Sequence, residues 1–117
     1  MVDPAGHRLA RRFDAEIVVA DFGDLDAVED QLHPFDACLY CAGLLVPGMS
    51  EAAYRHVTLD LTLNVARTLV RLNPRLTFVY ISGAGSDPGS RLMPLRVKGE
   101  TERALAAVPM RTILLRP

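Results

Sequence analysis

Thr77-Phe78-Val79-Tyr80-Ile81-Ser82-Gly83-Ala84-Gly85, continued beyond its loop by Arg96-Val97-Lys98-Gly99-Glu100-Thr101-Glu102, is the stretch that decides the reading of this chain. A run of β-branched and aromatic residues delivers a serine into a glycine-rich turn, and a helical segment then returns a lysine. Open α/β sheets bind ligands beyond the carboxyl ends of their strands. A hydroxyl at that point and an ammonium group on the next helix are therefore placed to hold a carbonyl substrate beside a nucleotide ribose.

Outward from this stretch, strand and helix alternate. Residues 15–20 form a β-branched run ending at Asp21, a predicted strand. Asp24 caps a predicted helix through about Leu32, with Leu25, Val28 and Leu32 facing inward, and Pro34 stops it. Residues 37–41 predict a strand apolar on both faces, which implies a sheet covered on both sides. Ser50 caps the longest predicted helix, 51–72. One of its stripes holds Tyr54, Val57, Leu61, Val65, Leu69 and Leu72, and a second holds Leu59, Leu63, Ala66 and Val70. One stripe covers the sheet; the other calls for a neighbouring helix or a second copy of the chain, a homodimer through helix 51–72. Residues 77–81 give the next strand, 94–107 a helix starting at Pro94, and 112–115 the last strand. The alternation predicts a parallel α/β sheet with right-handed crossovers.

With 117 residues, half of them hydrophobic, the chain can bury one core, so residues 1–117 are expected to form a single domain. Thirteen basic and fourteen acidic residues leave a net charge of -1 without a basic run. Neither a nucleic-acid footprint nor a polybasic membrane patch is indicated. The first residues lack the apolar core of a signal peptide, and no apolar run reaches the roughly 18 to 20 residues of a spanning helix, so a cytoplasmic protein is expected. Cys38 and Cys41 fall three apart on a predicted strand, about 10 Å from each other on opposite faces. A disulfide needs about 4.4 to 6.8 Å between Cα atoms, so both are read as structural core cysteines. His7, His33 and His56 match no triad or metal spacing, and no metal site is expected.

Asp21-Phe22, Cys41-Ala42-Gly43, Ser82-Gly83-Ala84-Gly85, Val97-Lys98-Gly99-Glu100 and Arg116-Pro117 occur in the order and contexts found in one family. The chain resembles the atypical and extended short-chain dehydrogenase/reductases, closest to the NmrA-like and epimerase-like NAD(P)-binding group. The likeness spans nearly the whole chain; it is specific as a set and weak motif by motif. It implies a Rossmann-like fold and NAD or NADP as cofactor. Asp21 and the Phe22 backbone would bind adenine, and Cys41, Ala42 and Gly43 would pass the cofactor ribose. Ser82 would orient the substrate, with Gly83 and Pro117 against the cofactor. Lys98 would bind the nicotinamide-ribose hydroxyls and assist a tyrosine.

The chain departs from that pattern in ways that matter. The tyrosine belongs four residues before Lys98, where Pro94 has no proton to give; Tyr80 is a remote substitute, read first as a core residue. Thr58 stands where many members carry an asparagine that organises a relay water. No Gly-rich phosphate turn occurs, and Met1-Val2-Asp3-Pro4 is similar to the tail of the second strand, with Val2 unable to bind a 2′-phosphate. The resemblance thus implies an incomplete Rossmann-like sheet with flanking helices, lacking the first two strands and truncated at both ends. Three readings follow: a catalytically impaired dehydrogenase- or epimerase-like protein of unknown substrate, a non-catalytic dinucleotide sensor or interaction module, and a non-functional gene remnant.

Overall fold

The computed structural model describes residues 18–43 and 45–117. Three strands, β1 (Ala37–Tyr40), β2 (Thr77–Ile81) and β3 (Arg111–Leu115), form one sheet in the order β1-β2-β3. Both pairings are parallel, with Cys38 opposite Phe78 opposite Thr112, and Tyr40 opposite Tyr80 opposite Leu114. Between β1 and β2 run α1 (Glu51–Arg55), a π-helical turn (His56–Asp60) and α2 (Leu61–Leu72); between β2 and β3 runs α3 (Met93–Ala106). The protein is thus α/β with an open parallel sheet. No helix among the described residues is long and apolar enough to cross a membrane.

Local signals account for these boundaries. The Ser50 hydroxyl accepts the Ala53 N–H at 3.1 Å and starts α1. Pro94 sits in the first turn of α3, where its missing N–H costs nothing. Asn73 closes α2 and does more. Its Nδ2 donates to Leu69 O at 2.9 Å and Leu32 O at 2.8 Å, while its Oδ1 accepts the Phe35 N–H at 2.7 Å. This buried amide ties the helix end to the segment that leads into β1.

The strand read at 15–20 falls partly outside the described residues, as do Val2 and His7; Val18 to Ala20 take no strand pairing. The helix expected from Asp24 is a 3-10 helix, Asp26–Gln31. Its inward residues are nonetheless those expected: Leu25 is buried, and Val28 and Leu32 pack against the core.

The core lies on one side of the sheet. Tyr40, Phe78 and Tyr80 meet Val65, Ala66, Leu69 and Leu105 there, with the Tyr40 and Phe78 rings stacked at 5.7 Å. The other face carries Ala37, Leu39, Thr77, Val79, Ile81, Arg111, Ile113 and Leu115, none of them buried, and Leu39 is 70% exposed. Among the described residues, the expected two-sided cover is therefore absent. The strand order gives the reason: successive parallel strands added in one direction, with crossovers of one hand, return every helix to the same face.

The long helix also differs from its apolar periodicity. The π turn, in which the Leu61 N–H reaches back to His56 O, takes up an extra residue and rotates what precedes it. The buried line becomes Tyr54, Thr58, Thr62, Val65, Ala66 and Leu69, while Val57 and Leu61 are only half-buried. Ala66, from the second stripe, lies in the core and Leu63 packs against it, leaving Leu59 and Val70 half-buried.

A one-sided core makes a sharp contrast measurable by urea unfolding. Phe78→Ala should cost about 3–5 kcal/mol, whereas Leu39→Ala on the open face should stay within about 0.5 kcal/mol of the parent.

Candidate functional site

The loop after β2 is set by a glycine on the helix beneath it. A Cβ at Gly99 would lie 2.3 Å from Pro88 N and 2.4 Å from the Asp87 carbonyl carbon, so only hydrogen fits where this backbone crosses α3. The Asp87 N–H also donates to Leu95 O at 3.1 Å. Ser86 Oγ donates to Gly83 O at 2.7 Å and lies 3.1 Å from Ser82 Oγ.

Ser82 is buried within this network and pinned to the sheet by its N–H, which donates to Leu115 O at 2.7 Å. Below it, Glu102 is buried and held in a two-pronged pair with Arg116, whose Nε donates to Oε2 at 3.1 Å and whose Nη2 meets Oε1. Burial alone would raise the Glu102 carboxyl. Hydrogen bonds from Arg116 and Ser82, with the guanidinium charge, outweigh burial and bring the carboxyl below its ordinary value.

Beside this network, a cleft of about 290 Å³ opens at the carboxyl ends of β1 and β2. Cys41, Ala42 and Gly43 leave β1 along one wall, with Leu45 beyond them; Tyr80 and Ile81 end β2 behind it. Tyr54 and Thr58 come from α1 and the π turn, and Lys98 from α3. Lys98 lies across the serine loop, and a Cβ on Gly83 would stand 3.2 Å from its Nζ. Among the described residues Lys98 has no carboxylate partner, whereas Arg55, Arg71, Arg96 and Arg116 pair with Glu100, Glu29, Glu51 and Glu102. Burial, with the neighbouring Tyr54, Tyr40 and Glu102 charges, drives the Tyr80 phenol far above its ordinary value, so it stays a neutral hydrogen-bond donor.

Of the residues singled out in the sequence, the structure brings Cys41, Ala42, Gly43 and Lys98 together at this cleft, with Gly83 beneath the lysine. Ser82 is adjacent but does not line the wall. Cys41 corrects the core reading: β1 ends at Tyr40, and Cys41 is exposed, while Cys38 is half-buried; both are free thiols. Asp21 and Phe22 do not line the cleft, although the Phe22 ring lies 6.0 Å from that of Tyr40 at the end of β1. The Asp21 carboxylate accepts the Gly23 N–H at 2.8 Å and holds its own turn, and Asn64 Nδ2 donates to Phe22 O at 2.6 Å. Pro117 is exposed beyond β3. Among the described residues, no three His, Cys, Asp or Glu side chains gather in a way that could hold a metal.

Sequence reasoning missed Tyr54 as cleft wall and Glu102 as the anchor under Ser82. For Tyr54 the signal was the i, i+4 spacing to Thr58, a polar residue interrupting an apolar helix; for Glu102 no local signal exists, because its partner is Arg116.

The described residues thus form an α/β fold whose open parallel sheet has a cleft at its carboxyl edge, where sheets of this kind place their ligands. No protein-family model matches the chain, and no curated protein matches it.

Two variants test this geometry. Gly99→Ala should destabilise the protein by about 1–3 kcal/mol through backbone overpacking, read by urea unfolding. Glu102 stabilises the fold above its unfolded value, and that contribution is lost as pH falls through the lower native value. The stability gap between the parent and Glu102→Gln should therefore be present at pH 7 and shrink below the ordinary value of 4.5; a gap that is constant with pH would show that the ion pair is not its source.

Proposed function

We propose that the chain is an NAD(P)-binding, short-chain dehydrogenase/reductase-like protein with an incomplete Rossmann-like sheet and impaired catalysis. The observation that carries the reading is the convergence of Cys41, Ala42, Gly43 and Lys98, drawn from two distant segments, on one cleft at the carboxyl edge of β1 and β2. In this reading β1, β2 and β3 stand for the later half of a doubly wound sheet.

The residues present fit a ribose and its base. Space beside Gly43 is open, with nothing within 4 Å of where a Cβ would stand, so sugar and backbone can approach. Lys98, without a carboxylate partner among the described residues, brings its ammonium group to the same cleft, suited to ribose hydroxyls or a phosphate. A nicotinamide nucleotide bound there would supply hydride chemistry. This chain's own contribution is weaker. Pro94 stands where the proton-donating tyrosine would be expected and cannot donate a proton. The loss of a general acid removes about 10²- to 10⁴-fold in rate, so binding without robust turnover is the activity expected.

Isothermal titration with NAD(H) and NADP(H) tests this. Binding at about millimolar strength is expected, and Lys98→Ala should weaken it about tenfold, the equivalent of one charge-assisted hydrogen bond. Absence of binding at millimolar concentration would refute the reading, and an unchanged affinity in Lys98→Ala would remove the lysine from the site.

A further inference from the structure

The cleft contains a thiol that nucleotide binding does not use. Cys41 is exposed on the wall shared with Lys98 and Thr58, while Cys38, three residues earlier, is half-buried against the helices. A second, independent observation also points to a ligand. Thr58 is only 5% exposed and lines the same cleft, yet its Oγ1 has no hydrogen-bond partner. A buried hydroxyl without a partner costs about 1–3 kcal/mol unless something satisfies it. Near it stands Lys98, with no carboxylate partner among the described residues. The cleft thus offers an accessible sulfur, an uncompensated positive charge and an unpaired hydroxyl.

We propose that Cys41 is a thiolation site, selective for small disulfides that carry carboxylates, with Lys98 holding the carboxylate and Thr58 offering its hydroxyl. The chemistry is thiol–disulfide exchange. The Cys41 thiol gives its proton to solvent, and the thiolate attacks one sulfur of the incoming disulfide. That disulfide's S–S bond breaks as the new bond to Cys41 forms, and the other half leaves as a thiolate that takes up a proton. Cys41 is oxidised and the departing half is reduced, so the small disulfide is the only oxidant required. Selection between the two cysteines follows from their surroundings, since burial, with the Cys41 charge beside it, pushes the Cys38 thiol up to about 11 and keeps it protonated. The site stands whether or not a nucleotide binds, and its test uses none.

The experiment compares two probes of opposite charge on the full chain: glutathione disulfide, which is anionic, and cystamine, which is cationic. Mass spectrometry with peptide mapping should place a single glutathione adduct on Cys41 and none on Cys38, and Cys41→Ser should abolish it. The ratio of second-order rates, glutathione disulfide over cystamine, should fall about tenfold in Lys98→Gln, as expected for removing one nearby charge at intermediate dielectric, and be retained in Lys98→Arg. Because the ratio is taken within each variant, a general loosening of the fold that speeds both probes leaves it unchanged. Adducts spread equally over both cysteines, or an unchanged ratio in Lys98→Gln, would overturn the proposal.

Discussion

The contact between the backbone of Asp87 and Pro88 and the α3 backbone at Gly99 governs the rest of the site. The separation admits a hydrogen atom and no carbon. Because the loop leaves β2 at Ser82 and crosses α3 at Gly99, this one approach fixes the serine, its partner Ser86 and the height of Lys98 on the preceding helix position. The Glu102–Arg116 pair then locks the far side, joining α3 to the residue after β3. A glycine that looked like part of a binding motif thus acts first through packing, and the lysine's position follows from it.

The sheet carries a different constraint. Parallel sheets are ordinarily covered on both faces, and the apolar residues of β1, β2 and β3 are distributed as if for that arrangement. Among the described residues the helices serve only the face of Tyr40, Phe78 and Tyr80. The site is insulated from this imbalance because its walls come from the covered side and from the carboxyl ends of the strands, where the serine loop supplies the polar connections.

Much of this was legible in the residues. β2 is where its β-branched and aromatic run places it, α3 carries its proline in the first turn, and the meeting of Cys41, Ala42 and Gly43 with Lys98 follows from putting strand ends and the next helix at one sheet edge. What escaped has physical causes. Apolar periodicity presumes a constant turn of about 100° per residue, and the π turn breaks it, so Thr58 occupies the place assigned to Val57; Thr62 is buried in regular step with Val65, Ala66 and Leu69, its hydroxyl hiding it from an apolar pattern. The Asn73 clamp joins residues 38 and 41 positions apart, and the Glu102–Arg116 pair links a helix to the chain beyond β3, neither visible in a local window. Cys41 passed for a core residue because an apolar strand pattern does not mark where the pairing stops.

The π turn has a consequence for how the cleft wall tolerates a change in chain length. Such a turn accommodates one residue more than the α-helix around it, so removing a single residue between His56 and Asp60 would restore an unbroken helix while α1 keeps its facing against α2. With Val65, Ala66 and Leu69 fixed in the core, Tyr54 would keep its place on the cleft wall, and the change would fall on the turn that carries Thr58. A change of one residue in length is therefore confined to the turn, at the point where the helix contributes Thr58 to the cleft.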